Sequence, residues 1–315
     1  MNIEGALICE KAAPLFACLF MFKLSGILPP IATPFDHAGE LYKVKVQHNV
    51  EKWNKTDLTG YVVCGSTGES VYLTTEEKLK LWEWVAEYAA PGKILVAGTG
   101  MESVRETIAL TNAAAGRGYK AAMVRTPFYY RNLINNTAAQ TLYFRAVADQ
   151  TKIPLMIYNW PQVTGIDISV EAVVALSHHP NIFAIKESSG SLEKTLQMIK
   201  EVKSGFQVLT GSAPILAPSL SVGCAGAVLA FANAAPFSVI SIWEAHRTRE
   251  FPAAMDWQHR ILRAAQLVTV KYGVPGLKYA MDLNGYYGGP PRLPLTAITP
   301  EAKKEIEAAF DGLKG

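Results

Sequence analysis

Lys186 closes an otherwise apolar run, Ile182-Phe183-Ala184-Ile185-Lys186-Glu187-Ser188. A lysine at the end of a buried strand loses hydration, so its pKa falls toward the range in which a neutral amine attacks a carbonyl. A lysine so placed can also snorkel to the rim or pair with a carboxylate. The run Ile157-Tyr158-Asn159-Trp160-Pro161 brings Tyr158 to a similar end. A phenol beside an amine can shuttle protons while an imine forms, although taken alone Tyr158 reads as a core tyrosine with a satisfied hydroxyl. A third run ends Cys64-Gly65-Ser66-Thr67-Gly68-Glu69. Two glycines around two hydroxyl residues leave backbone N–H groups exposed in a tight turn, a cradle for a carboxylate; by itself the motif is a glycine turn. Together the three ends describe a site for a 2-oxo acid. The Lys186 amine attacks the ketone, Gly65, Ser66 and Thr67 hold the carboxylate, and Tyr158 moves protons. A protonated imine is an electron sink, so a C3–C4 bond can break or form with no metal and no added cofactor.

The elements that must bring these ends together are strands and helices in alternation. Strands are expected at 26–35, 60–66, 93–100, 121–127, 154–161, 182–188, 206–212 and 226–233, several of them apolar on both faces, as parallel strands covered by helices are. Between them, Thr74 to Glu77 forms a capping-box pattern ahead of an amphipathic run, and 103–115 and 191–202 have helical spacing. Eight β–α alternations without a Gly-x-Gly-x-x-Gly turn after the first strand favour an α/β fold of the (β/α)8 TIM-barrel type, whose chemistry sits at the C-terminal strand ends. Helical patterns without strands continue to the end. The division expected is an N-terminal extension over 1–22, a catalytic barrel over 23–245 and a C-terminal helical extension over 246–315.

With 315 residues, half of them apolar, the chain can bury one large core. A net charge of +3 with scattered basic residues points to no nucleic-acid or anionic-membrane partner. Cys9, Cys18, Cys64 and Cys224 form no close pair, which fits a reducing, cytoplasmic compartment, with Cys64 as packing more than nucleophile. His178 and His179 are adjacent and read as a solvated helix end before Pro180; no metal-ligand spacing occurs. The apolar stretch 12–22 is too short to span a bilayer. Glu4 and Glu10 offset Lys11 there, so an upstream extension with Met21 as an alternative start fits better than an export signal.

From about residue 25 to 295 the sequence resembles the dihydrodipicolinate synthase / N-acetylneuraminate lyase family of (β/α)8 enzymes. The resemblance rests on Gly65-Ser66-Thr67-Gly68-Glu69, Thr126-Pro127-Phe128-Tyr129-Tyr130, Tyr158-Asn159-Trp160-Pro161 and Lys186-Glu187-Ser188, in that order. It implies that Lys186 is the Schiff-base lysine, that Tyr158 handles protons, and that Ser66 and Thr67 form the hydroxyl pair whose amides hold the carboxylate. It also implies that Tyr129 crosses a dimer interface in a homo-oligomer, a dimer of dimers. Val163 stands where the synthases place an arginine for the aldehyde partner's carboxylate, which counts against lysine biosynthesis. Gly211-Ser212-Ala213-Pro214 follows the seventh strand where sialic acid lyases place an acidic pair, so Gly211 and Ser212 line a pocket of another kind. Leu209-Thr210-Gly211-Ser212-Ala213, His179-Pro180-Asn181-Ile182, Gly273-Val274-Pro275-Gly276-Leu277-Lys278 and Gly285-Tyr286-Tyr287-Gly288-Gly289-Pro290 make the overall resemblance greatest to the 4-hydroxy-2-oxoglutarate aldolase branch. The activity this implies is class I aldolase (oxo-acid lyase) cleavage of a 4-hydroxy-2-oxo acid to pyruvate and an aldehyde. Cleavage of a 2-keto-3-deoxy sugar acid, a synthase-type condensation or dehydration, and a non-enzymatic 2-oxo acid sensor are the alternatives.

Overall fold

The computed structural model describes residues 22–313; the readings made for residues 1–21, Cys9 and Cys18 among them, lie outside that range. Eight parallel strands follow one another as β1 (Gly26–Leu28), β2 (Gly60–Val63), β3 (Ile94–Gly98), β4 (Ala121–Arg125), β5 (Leu155–Asn159), β6 (Ile182–Glu187), β7 (Gln207–Thr210) and β8 (Gly226–Val228). From β2 to β8 each pairs with its sequence neighbours, and β8 pairs with β1, so that β1 and β2 are the two ends of the ladder order. A parallel bridge between Pro30 and Val62, flanked by Val62 N–H donating to Pro29 O at 2.9 Å and Ile31 N–H to Val62 O at 2.9 Å, draws β1 and β2 together. The TIM barrel expected from the alternation is the fold observed.

The strands are shorter than their apolar runs. Expected to reach Ser66, Ser212 and Asn233, β2, β7 and β8 stop early and give way to 3-10 turns at Ser66–Gly68, Ala213–Ile215 and Ala230–Asn233. At β2 the reason is local: Cys64 has φ 62° and Glu69 φ 56°, conformations that end pairing and turn the chain across the barrel mouth.

Side chains alternate between two cores, as strand geometry demands. Leu28, Val62, Val96, Met123, Met156, Leu209 and Val228 fill the barrel interior. Val63, Ala97, Val124, Ile157, Ile185, Val208 and Ala227 belong to the layer under the helices. Continuing the inward set by two residues reaches Arg125 on β4, Tyr158 on β5 and Lys186 on β6, so period-two patterning puts all three on the inner face.

The helices start where expected. Thr74 and Glu77 form a reciprocal capping box on Thr75–Tyr88, and Ser103 and Ser191 cap Val104–Ala115 and Leu192–Glu201, each cap being worth about 1 kcal/mol. Beyond Pro236–Arg247 come Phe251–Gln266, a wide turn at Leu267–Lys271, Gly273–Leu283 and Pro300–Ala309. Among the described residues no helix is long and apolar enough to cross a membrane.

Candidate active site

Lys186 and Tyr158 are register partners on adjacent strands. The Lys186 ammonium nitrogen lies 4.0 Å from the centroid of the Tyr158 ring. Both residues are 5% exposed. No carboxylate among the described residues lies within ion-pair distance of Lys186. The one next to it in sequence, Glu187, faces the other way. It accepts from Asn159 Nδ2 at 2.9 Å and from Ser189 N–H at 2.6 Å, with Lys194 Nζ at 3.9 Å. Burial without a compensating charge lowers the Lys186 pKa to about 7. At neutral pH about half of the lysines are then free amine, the state that attacks a carbonyl. The rim-snorkelling and ion-paired alternatives do not describe this residue.

Burial pushes the Tyr158 phenol up, and the neighbouring Ser66 side chain partly offsets that rise. Tyr158 is therefore a neutral phenol at working pH and can donate one proton while accepting another. Its ring is stacked on Trp160, with centroids 6.1 Å apart. Ser66 and Thr67 sit in the turn after β2, where Thr33 Oγ1 donates to Gly68 O at 2.6 Å. Thr67 shares a cavity of about 690 Å³ with Lys186, Tyr158, Val163, Gly211 and Ser212, and Gly65 and Ser66 line a second one that also reaches Tyr158. Gly211 is required by its neighbours: a Cβ there would fall 1.9 Å from Ser188 Oγ and 2.9 Å from Lys186 Cε. The Ser188 hydroxyl is buried and has no hydrogen-bond partner among the described residues.

Over residues 23–312 the sequence matches the dihydrodipicolinate synthetase family. The chain belongs to that family. A 4-hydroxy-tetrahydrodipicolinate synthase of Exiguobacterium sp. is 32% identical over 287 residues, covering 91% of this chain and 97% of that protein. Among solved structures, a dihydrodipicolinate synthase of Bacillus anthracis is similar with a TM-score of 0.88 at 28% identity, covering 92% of this chain and 99% of that one. YagE of E. coli, a prophage protein of the same family solved in complex with pyruvate, gives a TM-score of 0.86 at 28% identity over 92% of this chain and 98% of its own. The chain is thus an enzyme of the pyruvate-dependent class I aldolase and condensation type. The chemistry of this family uses a lysine imine with pyruvate and no external cofactor.

Within one chain of this family member, Lys186, Tyr158, Thr67, Val163, Gly211 and Ser212 come together at the barrel mouth, with Gly65 and Ser66 behind Tyr158. Tyr129 does not join them. It is 75% exposed, edge-on to Tyr130, and lines a separate cavity that neither Lys186 nor Tyr158 reaches. Val163 is 59% exposed and offers an apolar surface at its position. Cys64 is buried, and burial pushes its thiol up to about 12, which leaves it an inert packing group. His179 accepts from Asn181 N–H at 3.1 Å and lies 3.0 Å from Asp149, at a helix end as expected. Among the described residues no cluster of three or more His, Cys, Asp or Glu could hold a metal.

Three contributors were not apparent from the sequence. Asn159 ties the ends of β5 and β6 together, donating to Glu187 and to Asp167 Oδ1 at 2.8 Å and accepting from Ile168 N–H at 3.1 Å. Its signal was available, since it follows Tyr158 at a strand end. Trp160 walls the site beside Tyr158. The C-terminal turn and helix supply Leu267, Val270, Gly273 and Leu277 to the cavity, a contribution that depends on long-range packing and leaves no trace in local pattern.

Proposed function

We propose that this protein is a retro-aldolase for a 4-hydroxy-2-oxo acid of the 4-hydroxy-2-oxoglutarate type, releasing pyruvate and an aldehyde. The observation that carries the reading is Lys186: a buried amine without a charge partner, packed on the Tyr158 ring. Lys186 Nζ adds to the C2 ketone, and loss of water gives the protonated imine. The turn amides and hydroxyls of Ser66 and Thr67 hold the C1 carboxylate. Tyr158, as a neutral phenol beside Ser66, accepts the C4 hydroxyl proton as it passes its own proton on. The C3–C4 electron pair flows into the imine, the aldehyde leaves, and the resulting enamine is protonated at C3 and hydrolysed to pyruvate. Tyr129 would complete the relay from a neighbouring subunit of a homo-oligomer, a dimer of dimers, in a cytoplasmic setting.

A second reading, condensation of pyruvate with an amino aldehyde acid, is favoured by the names of the relatives. Val163 speaks against it, because an exposed valine cannot bind the aldehyde partner's carboxylate where the synthases place arginine. Gly211-Ser212 supports neither reading over cleavage of a 2-keto-3-deoxy sugar acid, which shares every step. The test is borohydride reduction with pyruvate followed by peptide mapping, then a substrate screen. An adduct on Lys186 with cleavage of 4-hydroxy-2-oxoglutarate supports the reading. Turnover of pyruvate with aspartate semialdehyde replaces it with the second one. A folded protein with no adduct refutes the imine.

A further inference from the structure

We propose that Arg125 selects the far half of the substrate by binding a carboxylate carried beyond the C3–C4 bond; this rests on the imine reading of Lys186. Arg125 ends β4 in register with Tyr158, and Tyr158 is in register with Lys186. The three form one row on the inner face of three adjacent strands. Two strand spacings, about 10 Å, separate the Arg125 and Lys186 backbones, a gap that two long side chains can close from opposite ends of a short oxo acid.

Two cavities, of about 260 and 250 Å³, flank Tyr158, and Arg125, Phe128 and Ser66 line both. Val163 lines the smaller one, where Arg125 is the only cation among the described residues. The charge absent at position 163 is therefore supplied from the neighbouring strand. Its guanidinium is already held in place: Nη1 donates to Glu102 Oε1 at 2.9 Å and to Thr126 O at 3.1 Å, and the group lies 4.6 Å from the Phe128 ring centroid. Glu102 is fixed in turn by the N–H groups of Phe128 and Tyr129, at 2.9 and 3.0 Å. Nε and Nη2 of Arg125 make no hydrogen bond to any described residue, which leaves two donors in the fork that matches a carboxylate. Gly100 gives the side chain its room, for a Cβ there would lie 2.6 Å from Arg125 N and 2.8 Å from its Cγ.

The anions nearby are already engaged: Glu102 holds Arg125 Nη1, and Glu69, which lines the smaller cavity, is taken by Lys278 and the Arg292 N–H. Lys78, 4% exposed, lines the larger cavity with Arg125, and its ammonium has only the Met101 sulfur, 3.6 Å away, as a partner. A thioether is a weak acceptor, and Glu102 alone faces the two cations in that lining. A buried ammonium without a carboxylate is costly, and an anion arriving with the substrate lowers that cost.

The experiment compares kcat/KM on 4-hydroxy-2-oxoglutarate and on 4-hydroxy-2-oxopentanoate, which has a methyl in place of the distal carboxylate, for the whole protein and for Arg125→Gln and Arg125→Lys. Wild type is expected to prefer the dicarboxylate. Arg125→Gln should lose about 10- to 100-fold of that preference, the range for charge-assisted hydrogen bonds, and Arg125→Lys, which keeps the charge without the fork, should lose less. Borohydride trapping of pyruvate on Lys186 is measured in each protein and reports that the site is folded. Equal losses on both substrates, or a wild type without preference, overturn the role of Arg125 while leaving the imine intact. Failure of wild type to trap pyruvate overturns the imine reading and this proposal with it.

Discussion

If burial alone sets the acidity of Lys186, the rate of imine formation must follow the amine fraction through a pKa of about 7. An ordinary lysine at 10.5 would be about 0.03% amine at pH 7, so the site raises the nucleophile's population roughly a thousandfold. The assay is single-turnover borohydride trapping of pyruvate between pH 5 and 9. The rate should climb about tenfold per pH unit below 6 and level off above 8. The same burial has a stability cost whose pH window is fixed. Below about pH 7 both folded and unfolded chains carry the ammonium, and the folded chain bears its full desolvation. Between about 7 and 10.5 the folded chain has lost the proton and the unfolded one has not, so the cost shrinks as pH rises. Above 10.5 it is gone. At about 1.4 kcal/mol per factor of ten in acid constant, the ceiling below pH 7 is about 5 kcal/mol. Lys186→Met, close in volume and uncharged, should abolish trapping and stabilise the fold by about 1–4 kcal/mol at pH 6, with the gain fading toward pH 10. Chemical denaturation at several pH values measures this. A flat trapping rate from pH 5 to 9, or a mutant no more stable at pH 6 than wild type, would refute the claim that desolvation activates this amine.

Three other outcomes follow from the geometry. Tyr158→Phe keeps the ring under the amine and loses the hydroxyl, so turnover should fall by about two to four powers of ten with an unchanged melting temperature and with the imine still trappable. Gly211→Ala places a methyl against Ser188 and Lys186; trapping should slow by about tenfold or more, and Ser188→Ala in the same chain should restore part of it, as rapid-quench kinetics would show. Lys278→Met leaves the Glu69 carboxylate buried without its partner, which lies 2.6 Å away, and should destabilise the protein by about 3–5 kcal/mol in urea.

The strand ends were legible because a polar residue closing an apolar run is a signal confined to a few neighbouring positions. Lys186 and Tyr158 were found that way, and their adjacency followed from strand order in a barrel. Arg125 closes the run Ala121-Ala122-Met123-Val124 in the same manner, yet the reading of strand ends passed over it. Its meaning depends on Val163, which lies in a different turn, and on Gly100, which gives it room. The lengths of the strands were overstated because apolar character continues past the last ladder bond into the turns that face the mouth. Tyr129 was placed by resemblance alone, and one chain does not bring it to Lys186. The walls supplied by Leu267 to Leu277 depend on how helices far along the sequence fold back over the barrel, which hydrophobic periodicity does not encode.

That return of the C-terminal helices also bears on the carboxylate cradle. Glu69 sits at φ 56°, an uncommon conformation for a residue with a side chain, and such a conformation persists when its surroundings over-determine it. Here Lys278 closes a buried ion pair on one Glu69 oxygen and also donates to Pro290 O at 2.9 Å. Arg292 N–H donates to the other Glu69 oxygen at 2.8 Å, while its guanidinium forks onto Glu77, the residue that caps the next helix. The turn carrying Ser66 and Thr67 is therefore held from the loop after β1 by Thr33 and from the C-terminal segment by Lys278 and Arg292. The groups proposed to bind pyruvate's carboxylate and form its imine are thus strand residues or a turn clamped by buried charges. Val163 lies in a short helical turn outside the ladder, and the Arg125 head group is fixed by Glu102 from a loop. On this arrangement the pyruvate half of the reaction is set by the scaffold, and the aldehyde half can be changed by one or two side chains without disturbing it.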